Sequence, residues 1–323
     1  MSNKGIYNYI IFDCYNIFYK ASYLAEKEGQ TTIKDISTKE LIHTEGIVKF
    51  FQMINSYITR FGTNDVKCIF LMDNAKTSLT RYRKALSEEY KKKRQLQPQW
   101  FYRELDLIQL ILTNYIDNGE LYRIQFLEAD DYCSPLIRDK VTENDKVLMI
   151  SDDMDWCRNL SDNIHQYKNK EIWTKEVFFE KMNFEASYSN ICFYKTFYGD
   201  DSDNIIGALS NLPKQFFKDI ISKFDNPNDF LAHVSSLDYL DLGWRMKIEK
   251  EENNILLNWN LVENADISST QLSSYSQKCQ FRKNKLSIIY ASLNIVGKFD
   301  VRIKLESNEG DIFSMLNGEE LKR

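Results

Sequence analysis

Phe126-Leu127-Glu128-Ala129-Asp130-Asp131 and, further on, Ser151-Asp152-Asp153-Met154-Asp155-Trp156 are the stretches whose reading decides the fold. Between them lie a helix-like segment and the apolar run Val147-Leu148-Met149-Ile150. An acidic cluster placed directly after a buried strand sits at the carboxyl edge of a sheet, where open α/β folds carry their sites. Carboxylates crowded there repel one another, and they protonate or splay apart unless cations neutralise them. Two such clusters at adjacent strand ends point to a basin for divalent metals.

Working outward, Tyr7 to Phe12 is a β-rich run that ends at Asp13, and Val66 to Met72 is a second that ends at Asp73. Leu121 to Phe126 reads as a third strand and Lys146 to Ile150 as a fourth. Ile164 to Tyr167 and Glu171 to Trp173 flank Lys168-Asn169-Lys170, the pattern of a terminal hairpin. Helical periodicity covers Thr44 to Phe61, with Thr44 a candidate N-cap, then Pro98 to Tyr115 and Glu128 to Lys140. Strands alternating with helices predict an α/β fold with a mostly parallel central sheet covered on both faces. After Trp173 the pattern turns helical, over 174–182, 186–198, 213–224, 227–235, 237–250 and beyond. The expected organisation is therefore an α/β domain over 1–175 and a helical lobe over 176–323, with no evident linker between them.

Composition is compatible with this. A chain of 323 residues can bury a full core, and 43% hydrophobic with 28% charged residues is ordinary for a globular protein. Only 11 glycines and 4 prolines argue against long flexible linkers and for high helix content. The six cysteines (Cys14, Cys68, Cys133, Cys157, Cys192, Cys279) are scattered without a Cys-x-x-Cys pair, which argues against a disulfide framework and against a zinc site. The first apolar run is interrupted by Asp13 and does not read as a signal peptide, and no stretch approaches the ~20 apolar residues of a membrane span. The expectation is a soluble protein of a reducing compartment, with no membrane partner. A net charge of −5 looks wrong for a nucleic-acid binder, but clustering of basic residues matters more than the sum.

The acids form a constellation. Asp13, Asp73 and Asp153 with Asp155 follow three strands, and Glu128, Asp130 and Asp131 follow the remaining one. Gly199-Asp200-Asp201-Ser202-Asp203-Asn204 opens a further group in the helical region. Any one of these acids reads equally well as a turn former or helix N-cap. Their recurrence at the same end of every central strand is what a metal basin needs and turns do not. All are oxygen donors, and His43, His165 and His233 have no ligand spacing, so Mg²⁺ or Mn²⁺ is favoured over zinc. So many carboxylates exceed what one ion needs and predict two, which at ~4 Å apart activate water and stabilise the leaving oxygen of a phosphodiester.

Between Asp73 and Pro98 runs a basic segment with interleaved aromatics, including Arg81, Arg83, Lys84, Tyr90, Lys91, Lys92, Lys93 and Arg94. Alone it reads as a solvated charged helix. Leaving the sheet at an acidic strand end, its cations would hang over the basin and draw in a polyanion that carboxylates alone repel.

Taken together, Ile11-Phe12-Asp13, Met72-Asp73-Asn74-Ala75-Lys76 with Arg83 and Tyr90 to Arg94, Glu128-Ala129-Asp130-Asp131, Ser151 to Trp156 and Gly199 to Ile205 resemble the flap endonuclease superfamily of structure-specific 5′ nucleases, most closely its phage ribonuclease H and 5′–3′ exonuclease members. The resemblance spans roughly residues 7–225. It implies a PIN-like nuclease domain with a basic arch over about 76–97, and a helix–loop–helix DNA-binding element over about 186–224. It implies one metal held by Asp13, Asp73, Glu128 and Asp130 with Asp131 assisting, and another held by Asp153, Asp155, Asp200 and Asp203, partly through waters. Lys91 and Arg94 would steady the scissile phosphate, and Arg81, Arg83, Lys84, Tyr90, Lys92 and Lys93 would contact nucleic acid. Implied substrates are DNA with a 5′ flap, nick or 5′ end, or an RNA–DNA hybrid such as a replication primer. A monomer in the cytoplasm of a phage-infected bacterium is expected, with replication proteins such as a single-strand-binding protein as partners. One departure concerns the last motif. The family follows it with a glycine-rich turn, whereas Ile206-Gly207-Ala208-Leu209-Ser210-Asn211-Leu212-Pro213 has one glycine, which implies a duplex grip that is altered, lost or supplied by Lys214 and Lys218.

Other readings fit less well. A haloacid-dehalogenase phosphatase needs a second Asp two residues after the first, where Tyr15 stands, and a Toprim site wants Glu at the end of its first strand. A nucleic-acid-binding replication factor with a weak or degenerate nuclease site is the alternative of a different class.

Overall fold

The computed structural model describes residues 5–28, 32–34, 41–73, 83, 85–93, 97–115, 119–124 and 127–264. Arg81, Lys84 and Arg94, half of the expected arch and the tail after Asn264 lie outside the described residues.

Ten strands and ten helices, numbered here within the described residues, build the fold. In chain order they are β1 (Tyr7–Asp13), α1 (Cys14–Glu28), β2 (Thr32–Lys34), β3 (Leu41–His43), α2 (Thr44–Phe61), β4 (Gly62–Leu71), α3 (Gln99–Tyr115), β5 (Gly119–Tyr122), α4 (Ala129–Lys140), β6 (Val147–Ile150), β7 (Ile164–Lys168) and β8 (Glu171–Trp173). There follow α5 (Lys175–Met182), α6 (Tyr188–Tyr198), β9 (Gly199–Asp200), β10 (Ile205–Ile206), α7 (Lys214–Ile221), α8 (Pro227–His233), α9 (Leu242–Lys250) and α10 (Glu252–Val262). A 3-10 turn over Asp155–Asn159 follows β6.

The main sheet has the order β5-β4-β1-β6-β7-β8. Its first five strands are parallel and β8 returns antiparallel on β7, so the terminal hairpin expected from the sequence is present. β1 lies at the centre, paired with β4 through Asp13↔Leu71 and with β6 through Phe12↔Ile150. Asp13, Asp73 and Asp153 therefore emerge at one edge of three neighbouring strands. Side chains along β1 alternate between faces: Ile10 and Phe12 join a core with α1, α2 and α3, while Tyr9 and Ile11 join a core with α4. That second core runs without a break into Phe193, Phe197, Phe217, Phe230 and Trp259 of the helical region. Among the described residues no helix is long and apolar enough to cross a membrane.

Three differences from the sequence reading stand out. The third strand covers Gly119–Tyr122 instead of Leu121 to Phe126, because its partner β4 ends at Leu71, opposite Tyr122. The helix expected over 237–250 starts at Leu242, where Asp241 Oδ1 accepts the Trp244 amide and fixes the N-terminus. The third is α1, which the sequence reading omits. It buries Cys14, Ile17, Phe18, Ala21, Ser22 and Ala25, a stripe at helical spacing diluted by tyrosines.

Candidate active site

Each acidic side chain is aimed by a local backbone device. Asp13 ends the central strand and turns directly into α1: its Oδ1 accepts the Asn16 amide at 3.0 Å and its Oδ2 accepts Ser151 Oγ at 2.7 Å. Asp73 reaches across to the start of α4, where its Oδ1 accepts the Ala129 amide at 2.8 Å. Glu128 is the N-cap of α4 and Asp131 its third residue, and the two form a reciprocal capping box, with the Glu128 amide donating to Asp131 Oδ2 at 2.9 Å. After β6, Ser151 Oγ accepts the Asp153 amide, and Gln166 Nε2 donates to the carbonyls of Ser151 and Asp153, fixing the loop. Asp153 Oδ1 in turn accepts the Asp155 amide at 2.9 Å. Asp152 points away, to Lys20 Nζ at 2.7 Å and the Asn169 amide.

The remaining acids come from the β9–β10 hairpin. Asp200 Oδ1 accepts the amide and hydroxyl of Ser202, and the Asp203 carbonyl accepts the Lys91 amide at 2.8 Å. Asn204 Nδ2 donates to the Glu89 carbonyl at 2.8 Å and Tyr90 Oη to Asp203 Oδ2 at 3.0 Å. The base of the basic segment is thereby clamped onto the hairpin.

These devices converge on one cleft of about 390 Å³. Among the described residues its walls include Asp13, Asp73, Glu128, Asp130, Asp153, Asp155 and Asp203, with Lys91 the cation and Tyr15, Tyr19 and Trp156 the aromatics. Two of the expected acids are not in its wall. Asp131 is buried in the capping box and bonded to Arg83 at 2.7 Å, and Asp200 is turned to Lys195 at 2.6 Å.

The electrostatics divide the cleft. On one side burial, then repulsion from Asp73, push Asp13 up to about 7, with Asp153 adding to the shift. Asp130 is likewise held well above the carboxylate range by burial and by Asp131, Glu128 and Asp155. On the other side cations are built in. Burial raises Asp155, but Arg158 and Lys195 outweigh it and hold the carboxyl below its ordinary value. Lys195 Nζ, itself buried, bridges Asp155 and Asp200 at 2.6 Å each. Burial raises Asp203 to about 6 although Lys91 opposes the shift. Lys91 Nζ is bonded to Glu128 and lies 3.6 Å from Asp203.

Among the described residues no group of three or more acid, His or Cys side chains is drawn tightly enough together to hold an ion as it stands. The donor set nevertheless fits hard divalent cations. It is all oxygen, and on the Asp13 side the carboxylates push one another's pKa upward, a repulsion that bound cations would relieve.

Two expected nucleic-acid contacts lie elsewhere. Arg83 is buried, donating to Glu128 Oε2 at 2.7 Å, Asp131 Oδ1 and the Glu263 carbonyl, so it supports the site from behind. Tyr90 is 1% exposed, packed in the core beneath the cleft. Both are held because buried carboxylates need partners more than a surface needs another cation. Lys92, Lys93 and Lys214 are exposed and Lys218 is half-buried. The amides of Ala208 and Leu209, in the glycine-poor turn, donate to the Thr196 and Phe197 carbonyls and are used within the fold. Sequence reasoning missed Lys195 and Arg158. Arg158 lies three residues after Asp155 in the 3-10 turn, a spacing that signals pairing only once that turn is known.

Comparison with known proteins bears on the fold and the family. Residues 8–184 match the family model of the 5′–3′ exonuclease N-terminal resolvase-like domain. A 5′–3′ exonuclease of Buchnera aphidicola is 25% identical over 205 residues, 61% of this chain and 68% of the relative. Among solved structures, bacteriophage T5 5′-exonuclease with bound zinc superposes with a TM-score of 0.60 at 18% identity, covering 91% of this chain and 99% of that one. A variant of the bacteriophage T5 flap endonuclease, in a pseudo-enzyme-product complex with DNA and metal ions, gives 0.54 at 19% identity, covering 96% and 99%. The two likenesses establish a shared fold, and the family model, spanning more than half of the chain, establishes descent: the protein belongs to the 5′–3′ exonuclease family of nucleases.

Proposed function

We propose that the chain is a structure-specific 5′ nuclease that hydrolyses phosphodiesters near the 5′ ends, nicks or flaps of DNA, RNA-primed ends included, using two Mg²⁺ or Mn²⁺ ions. The observation that carries this reading is the convergence of seven carboxylates and Lys91 in one cleft at the carboxyl edge of a parallel sheet. When bound, divalent ions supply water activation and neutralise the charge that develops on the phosphate. Asp13, Asp73, Glu128, Asp130 and Asp153 would hold them, with Asp155 and Asp203 alongside, Asp200 through its contact with Lys195, and Asp131 in support through the capping box.

Lys91 Nζ sits in the cleft wall, so a phosphate entering the cleft meets it directly. Its transfer from Glu128 to that phosphate would stabilise the extra negative charge of the transition state and leave the Glu128 carboxylate open to a cation. Arg94 takes a second phosphate role in this reading. Lys92 and Lys93 on the arch side and Lys214 on α7 face solvent and, with the half-buried Lys218, would track the backbone of the polyanion. A monomer acting beside replication proteins, in the cytoplasm of a phage-infected bacterium, is the setting this chemistry suits.

The test is cleavage of 5′-labelled flap, nicked and RNA-primed duplexes side by side with Mg²⁺, with products sized. Short 5′-terminal products are expected from all three. Binding without cleavage would favour the nucleic-acid-binding alternative, and internal cuts regardless of a 5′ end would overturn the specificity.

A further inference from the structure

The last residue of α10 and the two that follow it, Val262-Glu263-Asn264, lie far beyond the residues matched by the family model, yet they are tied to both acidic motifs. Arg158, whose side chain is 1% exposed, donates from Nη2 to Asp155 Oδ1 at 2.7 Å and to the Val262 carbonyl at 2.7 Å, and from Nη1 to Asn264 Oδ1. Asn264 Nδ2 donates to the Asp130 carbonyl at 2.9 Å, and the Asn264 amide donates to Tyr188 Oη at 2.8 Å. The Arg158 guanidinium also stacks over the Tyr188 ring, 5.4 Å from its centre. Through Arg83, the Glu263 carbonyl is joined to Glu128 and Asp131 as well.

A single side-chain amide thus spans the two acidic motifs, fixing the backbone of Asp130 with its nitrogen and the partner of Asp155 with its oxygen. An asparagine suits this because it offers a donor and an acceptor on one rigid planar group. A charged side chain in place of Asn264 would satisfy only one end: a carboxylate cannot donate to the Asp130 carbonyl, and a lysine cannot accept from Arg158. The separation of the Asp130 and Asp155 carboxylates then depends on a residue that touches neither.

We infer that Asn264 is a positioning residue, setting the spacing of Asp130 and Asp155 for divalent-cation binding from the far end of the helical region. This rests on the metal-dependent reading above and adds a determinant outside the acidic motifs. Groups that orient ligands in this way change metal affinity by about 10–100-fold when removed.

The experiment is direct Mn²⁺ binding to the full-length protein without nucleic acid, followed by electron paramagnetic resonance, for the wild type, Asn264→Ala and Tyr188→Phe. Circular dichroism and thermal melting check folding. Asn264→Ala is expected to stay folded and to raise the Mn²⁺ dissociation constant about 10-fold. Tyr188→Phe, which removes only the hydroxyl that holds the Asn264 amide, is expected to shift it in the same direction by a smaller factor. Should Asn264→Ala fail to fold, Tyr188→Phe decides. Folded variants with wild-type Mn²⁺ affinity would overturn the inference, whereas a wild type that binds no Mn²⁺ would overturn the metal reading itself.

Discussion

Arg83 makes two 2.7 Å bonds, to Glu128 and Asp131, in a place where its side chain is 6% exposed. Removing one member of a buried ion cluster strands the others without water or partner, and this dominates over the lost attraction. Arg83→Met is therefore expected to lower unfolding free energy by about 3–5 kcal/mol, read from denaturant midpoints at constant slope. An unchanged midpoint would mean that the arginine is dispensable to the fold. His165 carries a different signature. Burial lowers its pKa below the ordinary 6.5, and its Nδ1 shares a 2.8 Å hydrogen bond with Tyr7 Oη. The folded state then takes up this proton less readily than the unfolded chain. The contribution is present in full above the unfolded value and is lost as pH falls through it toward the lower folded one. Wild-type stability should fall more steeply than that of His165→Gln between about pH 7.5 and about pH 5.5. Parallel curves would contradict this.

At the scale of elements, the β9–β10 hairpin connects the acids of the helical region to the base of the basic segment through the Lys91–Asp203 and Asn204–Glu89 bonds. Gly199 opens it with φ +92, and a Cβ there would stand 2.6 Å from the Ile205 carbonyl oxygen. Gly199→Ala is expected to cost on the order of 1–3 kcal/mol and to depress cleavage more than binding, because Asp200 and Asp203 move with the turn. Equal loss of both would locate the effect elsewhere. How legible these elements are from sequence depends on their signal. The strands β1, β4 and β6 are apolar runs ending in acid, and α2 is amphipathic from Thr44 to Phe61, so period and punctuation suffice. The helix α1 escapes because Tyr15, Tyr19 and Tyr23 blur its polar face, and β9–β10 because two-residue strands carry no period at all.

For the whole molecule, a net charge of −5 coexists with exposed lysines on the arch side and on α7. Duplex binding should weaken with salt, and Lys214→Ala should reduce the slope of log affinity against log salt by about 1 if that lysine meets a phosphate. An unaltered slope would remove α7 from the interface. The acidic half of the site was readable in one dimension, since seven of the nine acids named from sequence line the cleft. The cationic half was readable only in part: Lys91 was named from the resemblance and lines the cleft, Arg83 was expected on nucleic acid and is instead buried, and Arg158 and Lys195 look like surface charge until the fold buries them among carboxylates. The central claim is that those carboxylates act by holding divalent cations. Its most direct test is the rate of cleavage of a 5′-flap duplex against Mg²⁺ concentration, for the wild type and Asp153→Asn. The account predicts no cleavage in chelator, a saturable rise with Mg²⁺ in the wild type, and loss of roughly 100-fold or more in the variant. Cleavage that persists in chelator, or a variant as fast as the wild type, would contradict it.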